Sequence, residues 1–222
     1  MYFENEILPF FPQVILGTTV LICFLNYQKF PVYFKAFSFY WLIIFLGEVA
    51  GHAMGKAGIN NLFVYNTTFT LSCLFVPWFI IQFPGSEKLK RFLKWYILVF
   101  VALVIIEILK KNYFQDPGTI MLTYPIVIGQ LAIIVPCAWY LWQLYKSDEV
   151  SSLRSDPHFW LSVGFLAYYA AITPYLAMMN DLNKYYPDFT SVYHLVVTYG
   201  FNFVINLSIC IAFLCRTLNS AK

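Results

Sequence analysis

Seven apolar stretches follow one another along the chain, separated by short polar loops. They are read as spans at about 9–27, 36–56, 62–83, 92–110, 120–145, 158–180 and 190–214, each near the ~20 residues that cross ~30 Å of hydrocarbon at about 1.5 Å per residue. Only 11% of the residues are charged and 60% are hydrophobic, where a soluble domain carries roughly 25% charged residues. Too little polar surface is left for water, so lipid is the expected solvent. The expected fold is all-α, a single membrane domain over residues 1–222 with seven transmembrane helices. No loop is long enough for a soluble domain, so binding or chemistry is expected between helices or on a partner.

The loop charges orient such a bundle. Lys29, Lys35, Lys88, Lys90, Arg91, Lys94, Lys146, Arg154, Arg216 and Lys222 share one side, whereas Lys56, Lys110, Lys111 and Lys184 lie on the other with Glu4, Glu6, Asp116, Asp181 and Asp188. The positive-inside rule then puts the N-terminus outside and the C-terminus in the cytoplasm. The net charge of +3 reflects topology and contact with lipid headgroups, and no basic run is long enough to track a nucleic acid. MYFENEILPF has no basic n-region and no small-residue cleavage site follows it, so the first stretch is expected to stay as a helix. Cys23, Cys73, Cys137, Cys210 and Cys215 all fall in or beside apolar spans, which predicts packing thiols. Asn66 in NTT matches a glycosylation acceptor but sits inside a span.

Ionisable and polar groups within spans carry the functional expectation, because in hydrocarbon they face protein or a water-filled cavity. In FLGEVAGHAMGKAG, Glu48 and His52 are four apart and share a helix face. Gly47, Gly51 and Gly55 beside them allow close helix approach or ligand access to the backbone, and packing and recognition both stand as readings. Alternating chain direction brings Asn66, Thr70, Glu107, Tyr124, Tyr175, His194 and Thr198 to the same outer depth. With Glu48 and His52 these form the candidate ligand-binding set. His194 fits an interfacial hydrogen bond equally well, and Glu107 a contact with Lys110 or Lys111.

No catalytic residue, metal or cofactor is assigned. Glu48, His52 and His194 have zinc-compatible chemistry, yet they lack the HExxH spacing, and seven-helix hydrolases of the ceramidase and adiponectin-receptor type use three zinc histidines. His158 lies far from His52 and His194 in depth. Axial haem ligation by two histidines is chemically suitable but has no spacing to support it. The last span, VVTYGFNFVINLSICIAF, has no lysine for a retinal Schiff base. A three-plus-one-plus-three repeat finds no convincing alignment between the halves.

Pro77, Pro125, Pro136 and Pro174 lie in or near span interiors, where each removes an amide donor and bends a helix. Asn202 and Asn206 share a face of the last span and suit interhelical hydrogen bonds. In SDPHFWLSVGFLAYYAAITPYL and NLSICIAFLC the chain resembles the small seven-helix membrane modules that accompany or are fused to bacterial sensor kinases. Asp156, Pro157, Phe159 and Trp160 match the opening of their sixth helix, and Cys215 and Arg216 the exit of their seventh. The resemblance implies a multi-pass protein of the bacterial inner (plasma) membrane with a sensory role. With six residues after Arg216, signalling is expected to pass to a separate partner.

The expected function is a receptor-like module that takes a small or lipophilic ligand in its outer half and couples to a separate signalling protein or membrane-complex partner. A small-solute transporter, a metal-dependent membrane enzyme and a structural subunit stand as alternatives, and a homo-oligomer is a further partner arrangement. The bilayer itself is a partner in every case.

Overall fold

The computed structural model describes residues 11–84, 87–110, 123–147, 153, 155–185 and 196–215. They form α1 (Phe11–Leu25), α2 (Val32–Lys56), α3 (Leu62–Ile80), α4 (Glu87–Lys110), α5 (Thr123–Lys146), α6 (Pro157–Tyr185) and α7 (Asn202–Leu214). A 3₁₀ turn over Tyr27–Lys29 links α1 to α2, and a π-helical segment over Val196–Phe201 leads into α7. Among the described residues five helices, α2 to α6, are long and apolar enough to cross a membrane, while α1 and Tyr199–Leu214 are shorter apolar helices. The chain is a multi-span helical membrane protein.

Two helices begin before their apolar stretches, for local reasons. Pro31 precedes α2 in an extended conformation with φ −65°, which suits its fixed ring and its missing N–H at a helix start. At the start of α4, Glu87 complements the helix dipole and pairs with Lys90 at 3.1 Å, so a charged turn extends the helix beyond the apolar run.

The helices close a ring. In contact order α1 packs on α2, α2 on α3, α3 on α5, α5 on α6, α6 on α7, and α7 returns to α1. α4 sits outside, against α3 and α5, with Phe92, Trp95, Leu98, Val99, Ile105 and Leu109 exposed. A helix this apolar on an outward face is stable only in lipid or under a partner.

Small residues set the close approaches. A Cβ on Gly47 would lie 2.5 Å from Thr68 Cγ2, one on Gly51 3.1 Å from the Tyr65 ring, and one on Gly55 3.2 Å from Asn61 Nδ2. All three glycines therefore seat α2 against the first half of α3, and Asn61 Nδ2–H closes the contact by donating to Gly51 O at 2.9 Å. Of the two readings of the glycine stripe, helix packing accounts for these positions. Gly164 does the same between α6 and α7, where its Cβ would lie 2.6 Å from Ser208 Cβ.

Phe34, Phe37, Phe79, Phe165 and Phe213 fill the basic half of the ring, all buried. Their centroids lie 4.9 Å (Phe37–Phe79), 5.5 Å (Phe34–Phe213) and 6.1 Å (Phe37–Phe165) apart, within the range of favourable aromatic packing. None of the five cysteines is in a disulfide. Tyr33 near the start of α2 meets His158 near the start of α6, and Phe83 after α3 meets Tyr140 near the end of α5. Lys29, Lys35, the basic start of α4 and Lys146 thus gather at one end of the bundle, as the alternating chain direction requires.

Candidate functional site

The half of the bundle away from the basic end holds a cavity of about 600 Å³, its open mouth included. α1, α2, α3, α6 and α7 all contribute to its wall. Among the described residues Glu48 is the one acidic side chain on that wall, beside Tyr40, Trp41, Thr68, Tyr168 and Asn202. The glycine contacts place it there. Gly47 and Gly51 turn one face of α2 to α3, and Glu48, one residue from Gly47, looks toward the ring interior. Among the described residues Glu48 makes no hydrogen bond and no ion pair.

The rest of the wall is tied by hydrogen bonds. Tyr40 OH donates to Ser72 Oγ at 2.8 Å, and Ser72 OH donates to Thr68 O at 2.8 Å, joining α2 to α3. Trp41 Nε1–H donates to Asn206 Oδ1 at 3.2 Å, and Asn206 Nδ2–H donates to Asn202 O at 2.8 Å, joining α2 to α7. The predicted Asn202–Asn206 face is therefore a tie across the ring that begins at the cavity. Trp41 stacks on Phe37 with centroids 5.6 Å apart, so the cavity floor rests directly on the aromatic cluster. Replacing Asn206 by leucine leaves the indole N–H buried without its acceptor, and thermal unfolding in detergent should show a loss of about 1–3 kcal/mol.

The sequence-predicted residues separate on this geometry. Glu48 lines the cavity. His52, one turn further along α2, is partly buried and lies outside the cavity lining. Asn66 is buried on α3, and Thr70 is half-buried on the same helix, neither bordering the cavity. Glu107 is buried on α4, which stands outside the ring. Tyr124 is exposed near the start of α5, and Tyr175 is buried on α6 beyond the cavity lining. Thr198 falls in the π-helical segment, and nothing is described of its side chain. His194 lies outside the described residues, as do Arg154, Arg216, Lys222, Lys111, Asp116 and Asp188. Among the described residues no three His, Cys, Asp or Glu side chains gather as a metal ion would need.

A second polar centre, at the basic end, was not in the predicted set. Asp156 caps α6, with Oδ1 accepting the His158 backbone N–H at 2.9 Å, and Pro157 fills the first helical position, where a missing N–H costs nothing. His158 Nδ1 lies 3.0 Å from the same Oδ1, Tyr140 OH donates to Asp156 Oδ2 at 2.7 Å, and His158 Nε2 meets Tyr33 OH at 3.1 Å. An ionised carboxylate only accepts, so Nδ1 carries a proton. Phe83 and Phe34 enclose the imidazole at centroid distances of 4.6 and 5.6 Å, leaving it 2% exposed. Burial alone would raise the Asp156 pKa, but the hydrogen bonds from His158 and Tyr140 outweigh it and hold the carboxyl below its usual range. DPH signals a capped helix start in the sequence. Nothing in the spacing points to Tyr33 or Tyr140.

Comparison with protein-family models, curated proteins and solved structures finds no match to this chain.

Proposed function

We propose that the chain is a seven-span receptor-like membrane module, with its N-terminus outside, that takes a small lipophilic ligand in the outer-half cavity and passes the event to a separate partner. The observation that carries this reading is Glu48, the one carboxyl that the described residues bring to the wall of a cavity bordered by five helices. A carboxyl in such a place is costly without a counter-charge or a proton, and a ligand ammonium among tyrosine and tryptophan rings would supply the charge. An amphiphilic amine is therefore the chemical class that fits best.

The aromatic cluster beneath the cavity closes it toward the basic end, which favours recognition over passage. Coupling would run through the same contacts. A ligand against Trp41 presses on Phe37 and on Asn206, hence on both α2 and α7. Pro174 removes an amide donor from α6 beyond Tyr168 and Tyr169, which weakens the helix locally and offers a point at which it can flex.

Thermal unfolding with hexylamine and with hexanol tests the reading. Hexylamine is expected to raise the melting temperature of the parent more than hexanol does, and to bind Glu48→Gln at least about tenfold more weakly, a difference of ~1.4 kcal/mol. Hexanol should act alike on both proteins. Equal stabilisation by amine and alcohol, or an amine effect unchanged in a well-folded Glu48→Gln variant, would sink the proposal.

A further inference from the structure

A groove at the basic end runs between the turn after α3, the first turns of α4 and the last turns of α5, with about 280 Å³ of space including its mouth. Phe83, Pro84, Leu89 and Leu93 make its wall apolar, and Lys90 and Gln143 bring polar side chains to it. Lys88, Arg91 and Lys94 stand exposed on the same turns of α4 and make no ion pair among the described residues. Lys90 pairs with Glu87 at 3.1 Å, but the Glu87 side chain is 84% exposed, so water weakens that contact and an anion can replace it. Lys90 is thus the basic side chain that reaches the groove itself, and Lys88, Arg91 and Lys94 add three more positive charges on the same turns of α4 against the single acid Glu87.

The depth of the groove is marked independently. Trp139, Trp142 and Tyr145 on α5 are 47%, 52% and 78% exposed, and Lys146 Nζ sits 4.9 Å above the Trp142 ring. Outward-facing tryptophan and tyrosine with a lysine at a span end mark the level of lipid headgroups. Gln143 belongs to this same stretch of α5, so the polar side of the groove lies at headgroup level and its apolar wall reaches below it.

We propose that this groove holds one anionic phospholipid of the leaflet at the basic end. Its phosphate sits between Lys90 Nζ and the Gln143 amide, with Lys88, Arg91 and Lys94 supplying the surrounding field. The glycerol and upper acyl carbons lie on Phe83, Leu89 and Leu93. A zwitterionic choline lipid places a cation where the protein already has an excess of them, so it is the poorer occupant.

Native mass spectrometry of the full chain in detergent, loaded with equal phosphatidylglycerol and phosphatidylcholine, reads this directly. One phosphatidylglycerol per chain is expected to survive, in preference to phosphatidylcholine. Lys90→Glu should reduce its retention by at least about tenfold, whereas Lys29→Glu, an equal charge change at the same end but off the groove, should change it less than about twofold. Gln143→Leu, which leaves the charge untouched, should also weaken retention. Equal retention of the two lipids would overturn the proposal. So would an equal loss in Lys90→Glu and Lys29→Glu, which would leave only a diffuse surface charge, or displacement of the lipid by millimolar inorganic phosphate.

Discussion

Valine in place of Gly129 is expected to disrupt the folded bundle. Gly129 lies on α5 where α3 and α4 both come closest: a Cβ there would overlap Cys73 Sγ, lie 2.5 Å from Cys73 Cβ and come within 3.0 Å of Phe100 Cε2. Cys73 and Phe100 are fully buried, so neither has space to withdraw. Overpacking by a single methyl in such a place costs about 1–3 kcal/mol, and a branched side chain costs more, against a total stability of about 5–15 kcal/mol for a typical domain. Gly129→Ala should therefore lower the melting temperature clearly, and Gly129→Val should leave little folded protein in detergent. Pairing Gly129→Ala with Cys73→Gly should recover part of the loss, with a coupling of about 1–2 kcal/mol in a double-mutant cycle. A Gly129→Val protein that melts like the parent would mean that the three helices do not meet here.

The way Gly129 acts also separates what could be read in the sequence from what could not. The apolar stretches were legible because their length is set by hydrocarbon thickness, and α2 to α6 correspond to them. The charged first turn of α4 was missed because a hydropathy reading stops at Lys88 and Lys90, while a helix continues wherever its backbone and its Glu87–Lys90 pair allow. Gly47, Gly51 and Gly55 advertised a close approach, and α3 is the helix they receive. Rotation was not legible. Glu48 turns into the ring whereas Glu107 belongs to a helix outside it. Which way a helix turns is decided by packing between elements far apart in sequence. Tyr33 and His158, 125 residues apart, meet only because α2 and α6 start at the same end of the ring.

That meeting gives the second large effect. His158→Ala is expected to cost about 3 kcal/mol or more, because it opens a cavity beneath Phe34 and Phe83 and removes the imidazole partner of the half-buried Asp156 carboxyl. Asp156→Ala should cost about 2–4 kcal/mol through the lost cap of α6 and the lost hydrogen bond from Tyr140. Acid should reproduce part of this loss in the parent. The folded Asp156 carboxyl has its pKa below the ordinary value of 3.8, so it binds a proton less readily folded than unfolded. Its contribution is therefore fully present above that ordinary value and disappears as the pH falls from about 4 through the folded pKa. The informative quantity is the difference between parent and Asp156→Asn melting temperatures from pH 6 to pH 3, because it isolates this one carboxyl. The gap should be widest at pH 6 and shrink toward pH 3, where the parent carboxyl is increasingly protonated. A gap of constant size would mean that Asp156 holds the basic end by shape alone and that its charge contributes nothing to the lock between α2, α5 and α6.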